Sequence, residues 1–328
     1  MTAETTWPTT GTAFAAALAD AGTSVTMWGR RADSVAQINA GCNEDYLPGI
    51  LLPEGIRAST DPQEALAGAD IVVLAVPSQT LRANLSGWTL PETAAVVSLM
   101  KGVELGTTKR MSEVIMEVGG VDVERVVVVS GPNLAKEIAR KQPAASVVAC
   151  CDQATAERVA AACATGYFRP YFNHDVVGTE LGGAVKNVVA LAVGMAEGMG
   201  MGDNTKASII TRGLAETARL GVRLGADPST FMGLAGVGDL IATCMSPLSR
   251  NRTFGENLGK GMSVAEVIEV TRQTAEGVKS CHSVLDLARN AGVEMPIAEA
   301  VTSVIDGQRT PEELVDLLMS RTRKHERI

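Results

Sequence analysis

Short β-branched runs and amphipathic stretches alternate along the first half of the chain, and helical periodicity alone fills the second. Residues 12–21 read as a helix, 24–28 (SVTMW) as a strand and 33–40 as a helix. The runs at 71–76 (IVVLAV), 95–99 (AVVSL), 125–129 (RVVVV) and 145–149 (ASVVA) read as further strands, with helical segments between most of them. Such alternation predicts a parallel sheet covered by helices on both faces. After Val176 the pattern offers no convincing strand. Asp227-Pro228 opens one helix, Ser263 caps another before AEVIEV, and Thr310-Pro311-Glu312-Glu313 opens a last one. The expected fold class is therefore α/β: a doubly wound sheet domain over 1–172, then an all-helical domain over 173–328, joined near residues 168–175.

The stretch 176–201, VVGTELGGAVKNVVALAVGMAEGMGM, is apolar almost all the way round, which predicts a core helix. Lys186 and Asn187 stand in its middle. A lysine there is costly unless it is paired or does chemistry. Desolvation lowers its pKa, and a lysine poised near neutrality can pass a proton to and from a substrate oxygen. The alternative is a lysine whose stem lies along the core while its ammonium reaches water.

Composition narrows the class. At 328 residues with 46% apolar content the chain can fill two cores, and 3% aromatic content leaves that packing to aliphatic side chains. A net charge of −8 argues against a nucleic-acid partner and leaves small anionic substrates open. Lys186 interrupts the longest apolar run, so no membrane insertion is expected. No basic-then-apolar leader is read at the start, and the cytoplasm is the expected compartment. The six cysteines lack CxxC spacing and read as reduced thiols; the three histidines are scattered, so no metal site is expected.

Several segments suit ligands. Gly11 and Thr12 open the first helix, where a Rossmann-type dinucleotide turn would place its third glycine. Counting back, the first two glycine positions hold Thr6 and Pro8, and residues 2–5 make a poor buried strand. Arg30 and Arg31 follow the 24–28 strand, where an acidic residue would select NAD through its ribose; arginine there suits a 2′-phosphate and favours NADPH, with NADH the second choice. A solvated basic turn is the other reading. The strand-end loops AVPS (75–78), LMKG (99–102) and SGPN (130–133) lie where open α/β sheets bind ligands, which makes Lys101 a candidate charge for an anion rather than a surface lysine. GVGD (236–239) and SPLSRNR (246–252) follow; a serine, an arginine fork and an asparagine in succession suit a phosphate, or else make a helix cap and a basic turn.

Taken in order, GTAFAAALADAG, VPSQTLR, SLMKGVE, SGPNLAKEIA, TELGGAVKNVVALAVG, AGVGDL, SPLSRNRTFG and AEGV resemble the bacterial NAD(P)-dependent glycerol-3-phosphate dehydrogenases from Gly11 nearly to the C-terminus. The resemblance implies a Rossmann domain followed by a helical domain. It implies an oxidoreductase that interconverts dihydroxyacetone phosphate and sn-glycerol 3-phosphate for glycerophospholipid synthesis. Lys186 would be the proton donor or acceptor, with Asp239 beside it as the second catalytic residue. Lys101, Gly131, Asn133, Lys186, Asn187, Asp239, Thr243, Ser249, Arg250 and Asn251 would contact the small phosphate substrate. Gly11, Thr12, Arg30, Arg31, Lys101, Ala135, Arg250 and Glu276 would contact the cofactor. Asn133 stands where many relatives carry serine, and relatives begin with an apolar strand and GxGSWG where this chain has AETTWPTT at 3–10. A homodimer is compatible with the resemblance. Two other readings stay open: a dehydrogenase of another small hydroxy acid, and a remnant that binds substrate without dinucleotide.

Overall fold

The structure, a computed structural model, describes residues 9–271 and 276–320. The chain forms two compact units, one from residues up to 100 together with 111–176, the other from 101–110 together with 177 onward.

The first unit holds β1 (Val25–Trp28), β2 (Ile56–Ser59), β3 (Ile71–Leu74), β4 (Ala95–Ser98), β5 (Val126–Ser130), β6 (Ala144–Ala149) and β7 (Phe168–Asn173). Between them run α1 (Thr9–Asp20), α2 (Ala32–Asn39), α3 (Pro62–Leu66), α4 (Leu81–Leu85), α5 (Met111–Gly119), α6 (Ala135–Ala139) and α7 (Gln153–Cys163). Strand side chains alternate between faces, so a valine run feeds two cores at once. Val97, Val127 and Val129 pack with Phe14, Leu18 and Phe168 on one side. Val72, Leu74 and Val96 pack with Leu81, Leu85 and Ile115 on the other. This is the α/β arrangement that the alternating pattern predicts.

Two expectations are corrected. The strands are not all parallel: β3, β4 and β5 run together, but β6 runs antiparallel to β5 with Val129 opposite Val148. Residues 168–173, expected within the joining segment, form β7 and pair in parallel with β6. Pro170 and the exposed Tyr171 and Phe172 disguise β7 in the sequence, yet proline is tolerated where a strand closes a sheet.

Among the described residues the strands form two sheets, β1–β2 and β3–β4–β5–β6–β7. A cavity of about 750 Å³ has β1 and β3 in its walls, with Val25, Met27, Ile71 and Val73 beside Phe14 and Leu18 of α1. Thr6, Pro8 and residues 2–5, in which the sequence shows a damaged glycine turn and a weak strand, lie outside the described residues.

The second unit is built on α8 (Val176–Gly198), α9 (Asp203–Arg223), α10 (Asp239–Met245), α11 (Arg250–Gly259), α12 (Val264–Thr271), α13 (Glu276–Asn290), α14 (Pro296–Ile305) and α15 (Pro311–Met319). α8 is long and apolar enough to cross a membrane by length and composition, but 89% of its most apolar window is buried inside the protein. Every residue from Gly178 to Ala196 is buried, as the pattern predicts for a core helix. Expected capping boxes form at Ser263 with Glu266 and at Thr310 with Glu313, each side chain reaching the other's backbone N–H. Asp227-Pro228 opens a 3₁₀ turn, Pro228–Met232, instead of an α-helix; Gly233 ends it.

Candidate active site

Lys186 lies on the most buried helix of the second unit and is 8% exposed. Its ammonium donates to Asp239 Oδ1 and, at 2.7 Å, to Thr243 Oγ1. Asp239, 1% exposed, begins α10, and Thr243 stands one turn later on the same helix. Lys101 reaches the other carboxylate oxygen, Oδ2, at 2.5 Å. One carboxylate therefore serves two ammonium groups, a lysine pair that the strand-end position of Lys101 did not announce.

Local backbone makes this meeting possible. A π-helical turn, Leu234–Gly238, delivers the chain into α10. Such turns recur at functional sites because they shift the register of the side chains that follow. The turn lies against α8 at Gly182, where a β-carbon would overlap the Ala235 carbonyl oxygen. Farther along α8, a β-carbon at Gly194 would overlap the Arg252 carbonyl, and one at Gly255 of α11 the Leu191 carbonyl. The two helices thus touch backbone to backbone.

Burial pushes Lys186 down from the ordinary lysine range to about 7; Asp239 pulls it back up and Lys101 pushes it further down. The Cys244 thiol behind it is raised to about 12 by burial and stays neutral. A lysine so placed holds or releases a proton near neutral pH without rearrangement.

The other residues with expected substrate roles are spread between the units. In the second, Asn187 donates from Nδ2 to the Lys101 carbonyl at 3.4 Å. Ser249 caps α11 and accepts from the Arg252 N–H; Arg250 follows it, exposed. Asn251 accepts the Gly277 N–H at 3.0 Å, so its side chain fixes the start of α13. The side chain of Glu276, next to that glycine, lies outside the described residues. In the first unit, Gly131 takes φ +144° with Ser146 close beneath it. A side chain there would be both strained and crowded. Asn133 donates to Ser146 Oγ at 2.9 Å, while its Oδ1 is buried with no hydrogen-bond partner among the described residues. Ala135 starts α6.

Of the residues with expected cofactor roles, Gly11 and Thr12 lie in the first turn of α1, where backbone N–H groups suit phosphate. The Thr12 hydroxyl is buried and accepts from Asn43 at 2.9 Å. Arg30 is exposed just beyond β1, whereas Arg31 pairs with Asp45 at 3.2 Å. Arg30 and Arg31 line the 750 Å³ cavity along with Gly11, Trp28 and Pro77. This donor set, a helix start beside a guanidinium, fits a phosphorylated dinucleotide. Lys101 belongs to the second unit. Among the described residues no cluster of three potential metal ligands exists. Sequence reasoning missed the buried ion pair of Arg110 with Glu180, 2.7 Å; an acidic residue within the apolar run at 176–201 was its one visible signal.

The chain is similar throughout to proteins of known kind. Two family models match it, the NAD-dependent glycerol-3-phosphate dehydrogenase N-terminus over residues 9–156 and the corresponding C-terminus over 175–316. A glycerol-3-phosphate dehydrogenase (NAD(P)+) of Streptomyces griseus is 65% identical over 320 residues, covering 97% of this chain and 95% of that one. A Corynebacterium glutamicum protein of the same name is 56% identical, covering 96% of each. Among solved structures, glycerol-3-phosphate dehydrogenase from Coxiella burnetii superposes with a TM-score of 0.90 at 34% identity, covering 96% of this chain and 97% of that one. D-mandelate dehydrogenase, at 14% identity and a TM-score of 0.59, shares the fold alone.

Proposed function

Since the chain belongs to the NAD-dependent glycerol-3-phosphate dehydrogenase family, we propose that it interconverts dihydroxyacetone phosphate and sn-glycerol 3-phosphate with Lys186 as the proton carrier. The observation that carries this role is the buried lysine held by Asp239 and Thr243. NAD(P)H is the cofactor, and NADPH is the preferred form on the strength of Arg30. When bound, the nicotinamide supplies the hydride that reduces the ketone carbon. As the carbon is reduced, its oxygen gains charge, and Lys186 gives that oxygen a proton. Lys186 then regains a proton from water; oxidation of the alcohol runs the same transfers backwards. Asp239 and Thr243 hold the ammonium in one orientation. Arg250, with Ser249 and Asn251 beside it, takes the phosphate through its fork of donors. Gly131 and Asn133 complete the substrate set, and Gly11, Thr12, Arg30, Arg31, Ala135 and Glu276 the cofactor set. Asp239, Lys101, Asn187 and Thr243 act around the reacting oxygen.

Six free cysteines and a buried α8 support a soluble enzyme of the cytoplasm. The product is the glycerol phosphate on which glycerophospholipids are built. A homodimer is part of the same proposal and rests on the family resemblance; sedimentation tests it. The function is tested by NADPH oxidation on adding dihydroxyacetone phosphate, beside a panel of unphosphorylated 2-oxo acids. Oxidation with dihydroxyacetone phosphate and not with the 2-oxo acids is expected. Equal rates with the 2-oxo acids would overturn the substrate.

A further inference from the structure

Segment 101–110 is a short excursion with both ends tied to α8. An antiparallel bridge joins Val103 to Arg110, and the Glu104 N–H donates to the Lys109 carbonyl at 2.8 Å. The tip turns through Gly106 at φ +81° and Thr108 at φ +56°. A β-branched residue in the left-handed region persists only where its surroundings over-determine it. At one end Asn187 of α8 holds the Lys101 carbonyl. At the other, Arg110 Nη1 meets Glu180 Oε2 of α8 at 2.7 Å, with side chains 15% and 5% exposed. Glu180 and Lys186 are six residues apart on one helix. A buried ion pair adds little net stability once desolvation is counted. What it provides here is position.

We propose that Arg110 and Glu180 are a positioning pair for the reaction: they clamp segment 101–110 to α8 and so hold the Lys101 ammonium on Asp239, beside Lys186. This inference rests on the reading of Lys186 as proton carrier. The charged groups facing Lys186 are Asp239 from α10 and Lys101 from the clamped segment. The Cys244 thiol is neutral, and α9 presents Leu214 and Thr217, neither of which titrates. When the clamp is broken, Lys101 leaves Asp239 to Lys186 alone. A like charge departs and an opposite charge is no longer shared, so the Lys186 ammonium holds its proton to higher pH. Ketone reduction needs the protonated lysine, so its alkaline limb moves up. Alcohol oxidation needs the neutral lysine, so its acid limb moves up as well.

The test is the pH profile of kcat in both directions for the full chain carrying Arg110→Met, Arg110→Lys or Lys101→Met. With Arg110→Met both limbs are expected to move up by about one pH unit or more, in the same direction as with Lys101→Met. Oxidation at neutral pH then falls several-fold. Arg110→Lys keeps the charge and is expected to return the limbs most of the way. Should Arg110→Met fail to fold, Glu180→Met, which removes the acceptor for the guanidinium, is read in the same way. A folded variant lacking the ion pair with limbs at the wild-type pH overturns the proposal, as does a Lys101→Met profile that does not move. If Lys186→Met retains turnover, the proton-carrier reading fails. If that variant is inactive while the Arg110→Met limbs stay put, only the clamp fails.

Discussion

Glu216 is a buried carboxylate of α9 against the start of α14, and it shows how burial acts on one group at a time. It is 4% exposed and accepts the Ile297 N–H at the start of α14. Burial raises it to about 7, against the lowering effect of the Ile297 and Ala298 N–H groups and of Arg219 and Arg212. Below the unfolded value of 4.5, both states are protonated and the group is neutral to folding. Between 4.5 and about 7 the unfolded chain ionises and the folded one does not, so stability is lost as pH rises; above that window the cost is complete. Glu216→Gln keeps an acceptor for Ile297 and removes the charge. Denaturant unfolding is expected to show it stabilised relative to the parent by roughly 1–3 kcal/mol more at about pH 8 than at about pH 5. An equal difference at both pH values would show that the carboxylate ionises freely in the fold. The same physics acts on Lys186. Burial brings it down to about 7, the range that the proposed proton transfer requires.

At the scale of elements, the site depends on how closely the π turn Leu234–Gly238 can approach α8. Gly182→Ala would drive a methyl into the Ala235 carbonyl and displace the turn that aims Asp239. Overpacking of this kind costs about 1–3 kcal/mol, and a displacement near 1 Å at the reacting groups costs about 10²-fold in rate. The variant is expected to lose turnover more than stability, as read from kcat and the thermal midpoint together. Full turnover would show that the turn has room to spare. The cavity between β1 and β3 gives a second prediction. Replacing residues ahead of Thr9 by an apolar strand and a glycine turn is expected to tighten NADPH binding. It should also raise the thermal midpoint, by about 2–4 °C for each kcal/mol gained. Unchanged affinity and midpoint would show that the sequence ahead of Thr9 does not limit cofactor binding.

Much of this scale was legible in the sequence. The valine runs of β4 and β5 are buried on both faces, and α8 is apolar almost all round, so burial itself wrote their pattern. β2 and β7 were not legible, because IRAS and FRPYFN mix buried and exposed positions at sheet edges. Nor was the reversal of β6, since a strand's direction leaves no mark on its hydrophobicity. In the site, Lys186 and Asn187 stood out against an apolar helix. Asp239, 53 residues later, stood in the GVGD segment, and its tie to Lys186 came only from the family resemblance. Of the Arg110–Glu180 pair only Glu180 showed, as an acidic residue in an apolar run; its partner was hidden because the pair joins a loop to a helix 70 residues on.

For the whole molecule, the two units divide the work. The first carries the helix start and arginines suited to a dinucleotide; the second carries the lysine proposed as proton carrier, its carboxylate and the arginine proposed to take the phosphate. A net charge of −8 does not oppose an anionic substrate, because Lys101, Lys186 and Arg250 set the local sign within the second unit. The central claim is that the buried lysine moves the proton. The most direct measurement is steady-state NADPH oxidation with dihydroxyacetone phosphate by the intact chain and by Lys186→Met, which keeps the apolar stem and removes the ammonium. The account predicts that the variant folds with an unchanged circular dichroism spectrum and loses about 10²–10⁴ in kcat. It also predicts that reduction by the parent declines as pH rises through about 7. A folded Lys186→Met enzyme with near-parental turnover would contradict it.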